Sequence, residues 1–259
     1  MTISFIGSGN LAWHLAPALE NAGFVVKEVF SQNPKHAEAL TERLYQAEVK
    51  ATLDFSTSGS SLFIIATSDD SIQEIVREII LPEEAILVHT SGSQPLNLLQ
   101  FAATSHLGVL YPLQTFSKDR KVDFKKVPVF IESSDEETGH TLIQIAGAIS
   151  TKVQIIGSEE RKALHVAAVF ASNFTNHMLT ISRDILQQNS LNFDWLIPLI
   201  TETIEKGLAL GPENAQTGPA IRGDLDVLDQ QLEFLRENET VAEIYRLISQ
   251  HIIDRYKPE

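Results

Sequence analysis

The six residues Gly7-Ser8-Gly9-Asn10-Leu11-Ala12 constrain this chain more than any other stretch. They follow residues 3–6, a short apolar run that reads as a buried strand, and open residues 11–19, which carry a helical period. Gly-x-Gly-x-x-Ala in that setting is the dinucleotide fingerprint, with alanine as the third small residue. Gly7 permits a sharp turn out of the strand, Gly9 lets a diphosphate approach the backbone, and Ala12 lets helix and strand pack closely. Open N–H groups and the positive end of the helix dipole then hold the phosphates. Gly7, Ser8, Gly9, Asn10 and Leu11 are the expected diphosphate contacts. The rival reading is a tight strand–helix turn in some other α/β protein.

Short apolar runs alternate with helical patterns through the first half, at residues 25–30, 61–66, 85–89, 107–111, 127–131 and 152–156, which predicts a Rossmann-like, mostly parallel sheet. Helices are expected at 34–44 and 72–79. Gly, Ser, Thr and Asp at the carboxyl ends of these strands build a ligand crevice. Thr67, Ser68 and Ser91 stand there as further cofactor contacts. Beyond Gly157 the character changes. Residues 159–188 form one uninterrupted helical pattern, a rod of roughly 45 Å at 1.5 Å per residue. Asp194 reads as the N-cap of a helix running towards Leu210, with Pro198 in its first turn and Gly211 closing it. Helices near 225–236 and 241–256 finish the chain. A dinucleotide-binding domain over 1–156 and an all-helical domain over 157–259 follow.

The net charge of −14 argues against nucleic acid and anionic membrane partners. The chain has no cysteine, which removes disulfides, thiol nucleophiles and Cys-based zinc sites, and no metal is expected. No signal segment and no run of membrane-spanning length is evident, so a cytoplasmic protein is expected.

An acidic residue at the end of the second strand commonly selects NAD by holding the ribose hydroxyls. Here Ser31-Gln32-Asn33 stand at that place, with Lys35 beyond, and no carboxylate repels a 2′-phosphate. NADP is therefore the expected cofactor, with NAD the alternative. A solvated turn is the other reading of these residues.

Three clusters could carry chemistry. His89-Thr90-Ser91-Gly92 and Tyr111-Pro112-Leu113-Gln114-Thr115-Phe116 each follow a strand, where a substrate would lie. His89, Tyr111 and Gln114 are taken as substrate contacts, against capping or packing roles. The third cluster lies on the long helix: Lys162, His165, Ser172, Asn173 and Asn176 fall within an arc of roughly 100° at about 100° per residue. Burying five polar groups on one arc demands partners, which a pocket for a polar substrate supplies. Further on, Gly218-Pro219-Ala220-Ile221-Arg222-Gly223-Asp224 presents Arg222, able to grip a substrate anion or to pair with Asp224.

Together with the glycine turn and with His165-Val166-Ala167-Ala168-Val169-Phe170-Ala171-Ser172-Asn173-Phe174, these motifs resemble an uncharacterised bacterial family. It joins a Rossmann-like domain to a C-terminal helical domain of unknown function. Its members carry the labels NADP oxidoreductase or deazaflavin-dependent NADP reductase-like protein. More distantly, the layout is similar to pyrroline-5-carboxylate reductase and to the 6-phosphogluconate and β-hydroxyacid dehydrogenases. That resemblance implies a helical domain of the 6-phosphogluconate dehydrogenase type, dimers formed through it, and an active site between domains. Many members have His where this chain has Tyr111. The Lys–Asn pair of the hydroxyacid dehydrogenases is not reproduced either, since Val166 lies one turn after Lys162.

The expectation is a homodimeric NADP-dependent oxidoreductase acting on a C=O or C=N carbon of a small polar, anionic metabolite. His165, with Lys162 as the alternative, would move the proton. Asn173 would orient the substrate, Arg222 would clamp its anion, and Asn176 and Asp224 would touch it. A nucleotide-binding sensor without turnover is the competing reading.

Overall fold

The apolar runs pair into one eight-stranded sheet in a computed structural model that describes residues 1–256. The strands are β1 (Thr2–Ile6), β2 (Val25–Phe30), β3 (Glu48–Lys50), β4 (Leu62–Ile65), β5 (Ile86–His89), β6 (His106–Pro112), β7 (Val129–Ser133) and β8 (Val153–Ile155). Their order is 3-2-1-4-5-6-7-8, and every neighbour is parallel except β7 against β6. β4 shows why a continuous apolar run belongs inside such a sheet: Leu62 and Ile64 enter the core on one face, Phe63 and Ile65 on the other. Helices α1 (Asn10–Asn21), α2 (Pro34–Thr41) and α4 (Glu136–Ile149) cover the first face, and α3 (Asp69–Glu78) the second. The chain steps outward from β1 to β2 and β3, then returns to β4. That reversal opens a crevice at the carboxyl ends of β1 and β4.

Two elements lie where the sequence suggested none. β3 is three residues long and too short for alternation to register. α4 interrupts its apolar spacing with glycines, yet buries Leu142, Ile145, Ala146 and Ile149 along one side. The rod over 159–188 is helical throughout but not uniformly α: α5 (Ser158–Ala168) passes into a π-helical turn, Val169–Phe174, before α6 (Thr175–Gln188). The first compact unit extends to Ser172 and the second begins at Asn173, so α5 folds with the sheet although the change in sequence character falls near residue 156.

The second unit comprises α6, α7 (Ile197–Leu210), α8 (Pro212–Ala215), α9 (Pro219–Arg222), α10 (Leu225–Phe234) and α11 (Glu239–Tyr256). Pro198 stands in the first turn of α7, and Gly211, at φ +83°, ends it. Asp194 does not cap α7: it lies in a preceding 3₁₀ turn, where the Asn192 side chain accepts from the Asp194 N–H. Among the described residues of this unit, the only buried apolar ones are Ala220 and Leu228, whereas Trp195, Leu199, Leu208, Leu225 and Phe234 are each at least 60% exposed. No described helix is long and apolar enough to cross a membrane.

Asp135 caps α4 by accepting from the Thr138 N–H at 2.9 Å. Burial works to raise its pKa, but hydrogen bonds from Thr138, Ser134 and His106 outweigh this and hold it down to about 2. His106 moves the opposite way: desolvation lowers it, yet Asp135 and Glu84 raise it overall. The stability from Asp135 is present above its ordinary pKa and is lost as pH falls towards 2. That from His106 is complete below its ordinary pKa and is lost as pH rises through the raised one. Thermal unfolding across pH should therefore show an acid decline that Asp135→Asn flattens and an alkaline decline that His106→Gln removes. Unchanged profiles would refute both assignments.

Candidate active site

The crevice is a cleft of about 950 Å³. Gly7 forms its floor at φ +109°, and a Cβ there would stand 2.5 Å from the Ala66 carbonyl oxygen, so only glycine lets β1 turn against the end of β4. Gly9 is different. A Cβ on it would meet nothing nearer than 3.8 Å, so the fold does not demand glycine; its absence of side chain keeps clear the space above the start of α1. As N-cap it offers no side-chain acceptor, which leaves the first-turn N–H groups open. Gly7, Ser8, Gly9, Asn10 and Leu11 all line the cleft, together with Ser31, Gln32, Asn33, Thr67, Ser68 and Ser91. Every expected cofactor contact thus falls on one surface. The carboxylate carried by β2, that of Glu28, does not line it: Glu28 accepts from Ser4 at 2.8 Å and pairs with Lys50.

The opposite end of the cleft is built around the loop after β5. Tyr111, from β6, and His165, from α5, meet there with Tyr111 Oη 2.9 Å from His165 Nδ1 and their rings edge to face. Both rest on Gly92. A Cβ at that position would lie 2.5 Å from His165 Nδ1 and 2.7 Å from Tyr111 Cζ. Burial raises the Tyr111 pKa and Asp69 adds to this, against the pull of Arg161, so the phenol stays protonated at neutral pH. Gln114 also lines the cleft, its Oε1 accepting from the Thr115 N–H at 2.8 Å.

Arg161, one turn before His165, holds this end together and was not among the residues singled out by sequence. It is 1% exposed. Its Nη1 donates to Glu132 at 2.9 Å, its Nη2 to the Gln94 carbonyl at 2.6 Å and its Nε to the Ser91 carbonyl at 3.3 Å. The Ser91 hydroxyl accepts from the N–H groups of Ser93 and Gln94, and Ser93 donates to Asp69. One guanidinium therefore ties α5 and β7 to the 91–94 loop.

Four expectations need correction. His89 does not reach a substrate: it is fully buried, its Nδ1 accepts from the Ser91 N–H at 3.1 Å, and its Nε2 has no well-formed hydrogen bond. Burial, then the Arg161 charge, lowers its pKa to about 4, so it is a neutral brace for the loop. Lys162 is exposed and absent from the cleft lining, because Arg161 and His165 occupy the inward side of α5. Arg222 is not a free clamp, since its Nε and Nη2 both lie 2.8 Å from Asp224 Oδ2, and this pair occupies the Asp224 carboxylate as well. Asn173 and Asn176 are exposed residues of the second unit, and the π-helical turn removes the uniform 100° step on which the single polar arc was drawn.

The cleft rim also carries aromatic and basic groups. Phe116 stacks between His14 and Phe124. Lys118 lines the cleft while its ammonium sits 4.7 Å over the Trp13 ring, and the Arg43 guanidinium lies 4.0 Å from the same indole.

Residues 1–113 match a Rossmann-like domain, and residues 127–252 match a domain of unknown function (DUF2520). A Bacteroides fragilis protein of solved structure, provisionally named an NADP oxidoreductase, is 41% identical over 98% of both chains, with a TM-score of 0.89. This chain belongs to that two-domain family. A Thermotoga maritima protein is 23% identical over 98% of both chains (TM-score 0.71). A reductive aminase from Aspergillus terreus, solved with NADPH, is 14% identical over 97% of this chain and 92% of its own (TM-score 0.74). These last two show the shared fold. None of the curated proteins matches.

Within this family member, Arg161→Met would leave the Glu132 carboxylate and two buried carbonyls without their cation, a loss of about 3–5 kcal/mol. Gly92→Ala should cost about 1–3 kcal/mol by overpacking. Lys162→Met should stay within about 0.5 kcal/mol. Denaturant unfolding checks all three, and equal losses at 161 and 162 would contradict the placement of α5.

Proposed function

We propose that the protein is an NADP-dependent oxidoreductase acting on a C=O or C=N carbon of a small polar metabolite. One observation carries this reading: a single cleft holds the open glycine turn at one end and the Tyr111–His165 pair at the other. The name of the Bacteroides relative is consistent with it. So is the commitment of Glu28 elsewhere, which leaves no carboxylate at the tip of β2 to oppose a 2′-phosphate.

The main chain of Gly7, Ser8, Gly9, Asn10 and Leu11 would hold the diphosphate, with Ser31 and Gln32 towards the ribose phosphate and Leu53 and Ile75 as apolar lining. Bound NADPH would supply the hydride. The phenol of Tyr111 would give a proton to the heteroatom of the reduced bond, and His165 Nδ1, at hydrogen-bond distance from it, would replace that proton. In the oxidative direction the same two groups would take the proton up. Arg161 keeps its charge out of the cleft and acts by positioning.

The test is consumption of NADPH, followed by its absorbance, against a panel of aldehydes, 2-oxo acids and cyclic imines. Tyr111→Phe and His165→Ala should lose about 10²-fold or more in rate on whichever compound responds, with NADPH affinity nearly unchanged. Full rates in both variants would exclude this assignment. Binding without consumption on any compound would favour a nucleotide sensor.

We also propose a homodimer formed through the helical unit. Trp195, Leu199, Leu208, Leu225 and Phe234 of this unit are each at least 60% exposed, apolar surface that a second copy would cover. Light scattering should return twice the chain mass, and a monomer at working concentrations would overturn the proposal.

A further inference from the structure

An NADP site needs a counter-charge for the 2′-phosphate, and the run Ser31-Gln32-Asn33-Pro34-Lys35-His36 contains no arginine to supply one. Asn33 is committed within the chain. Its Oδ1 accepts from the Lys35 N–H at 3.1 Å, capping α2, and its Nδ2 lies 3.3 Å from His36 Nε2. Lys35 does not line the cleft. Among the described residues, the cleft-lining groups that can carry positive charge are His36, Lys118 and His165. His165 is engaged with Tyr111 and Lys118 with Trp13. His36 alone stands beside the end of β2.

We propose that His36 recognises the 2′-phosphate and sets the preference for NADPH over NADH. This rests on the reading of the cleft as an NADP site. Asn33 Nδ2 donates to Nε2, so that nitrogen is the acceptor and Nδ1 carries the ring proton a ligand could take up. Glu74 and Glu78 of α3 line the same cleft. On α2 itself lie Lys35 and Glu38, and the strands against which α2 packs carry Lys27 and Glu28 (β2) and Glu48 and Lys50 (β3), with Glu28 and Lys50 paired to each other. The carboxylates of Glu74 and Glu78 add negative charge to the cleft, so a donor on His36 is what the end of β2 offers to a phosphate oxygen.

The experiment is titration of NADPH and NADH into the full chain. The wild type should favour NADPH, and His36→Asn should reduce that preference by about tenfold while NADH affinity moves little. His36→Lys, which supplies a cation at the same place, should hold the preference. A His36→Asn protein with wild-type preference overturns the proposal. If neither nucleotide binds any of the three proteins, the cofactor reading falls first and this inference with it.

Discussion

The guanidinium of Arg161 is the interaction on which the reacting end of this protein depends. A buried cation without partners would cost several kcal/mol. Here one carboxylate and two main-chain carbonyls, from β7 and from the loop after β5, surround it. Meeting that requirement forces α5 to lie against the loop, and the residue one helical turn further on is His165. Gly92, in the loop so held, has no side chain to keep His165 and Tyr111 apart. The electrostatic demand of one residue is thereby converted into the position of two others.

The same geometry explains how far the sequence could be read. The β1 turn, its flanking strand and helix, and the serines and threonines at the strand ends were legible, because local sterics and sheet direction decide them. His165 and Tyr111 were each legible as candidates, but their meeting was not, since they are 54 residues apart. Arg161 escaped notice for a related reason. A charged residue on a helix reads as solvated unless its partner is known, and Glu132 lies 29 residues earlier on a strand. The choice of Lys162 in its place shows how little helical phase says about which side of an amphipathic helix is covered. His89 misled in the opposite sense: a histidine at a strand end resembles a ligand contact, and only burial distinguishes it. Arg222 and Asp224 allowed both a clamp and a mutual pair, and their separation of two residues permits the pair without help from the rest of the fold.

The helical unit was read correctly in outline and less so in detail. The end of α7 followed from Gly211, whose backbone preference acts locally, whereas the start expected from an Asp194 cap is preceded by a 3₁₀ turn. The π-helical turn had no such marker. Val169-Phe170-Ala171-Ser172-Asn173-Phe174 contains neither glycine nor proline, so periodicity ran through it as though the helix were regular.

Trp13 gives the molecule a built-in optical probe. Its indole lies close to two cations, one of which, Lys118, also borders the cleft. The other tryptophan, Trp195, belongs to the helical unit. Emission from Trp13 is thus tied to the electrostatic surroundings of the cleft rim, and a Trp195→Phe background would isolate it, letting occupancy be followed in solution without labelling.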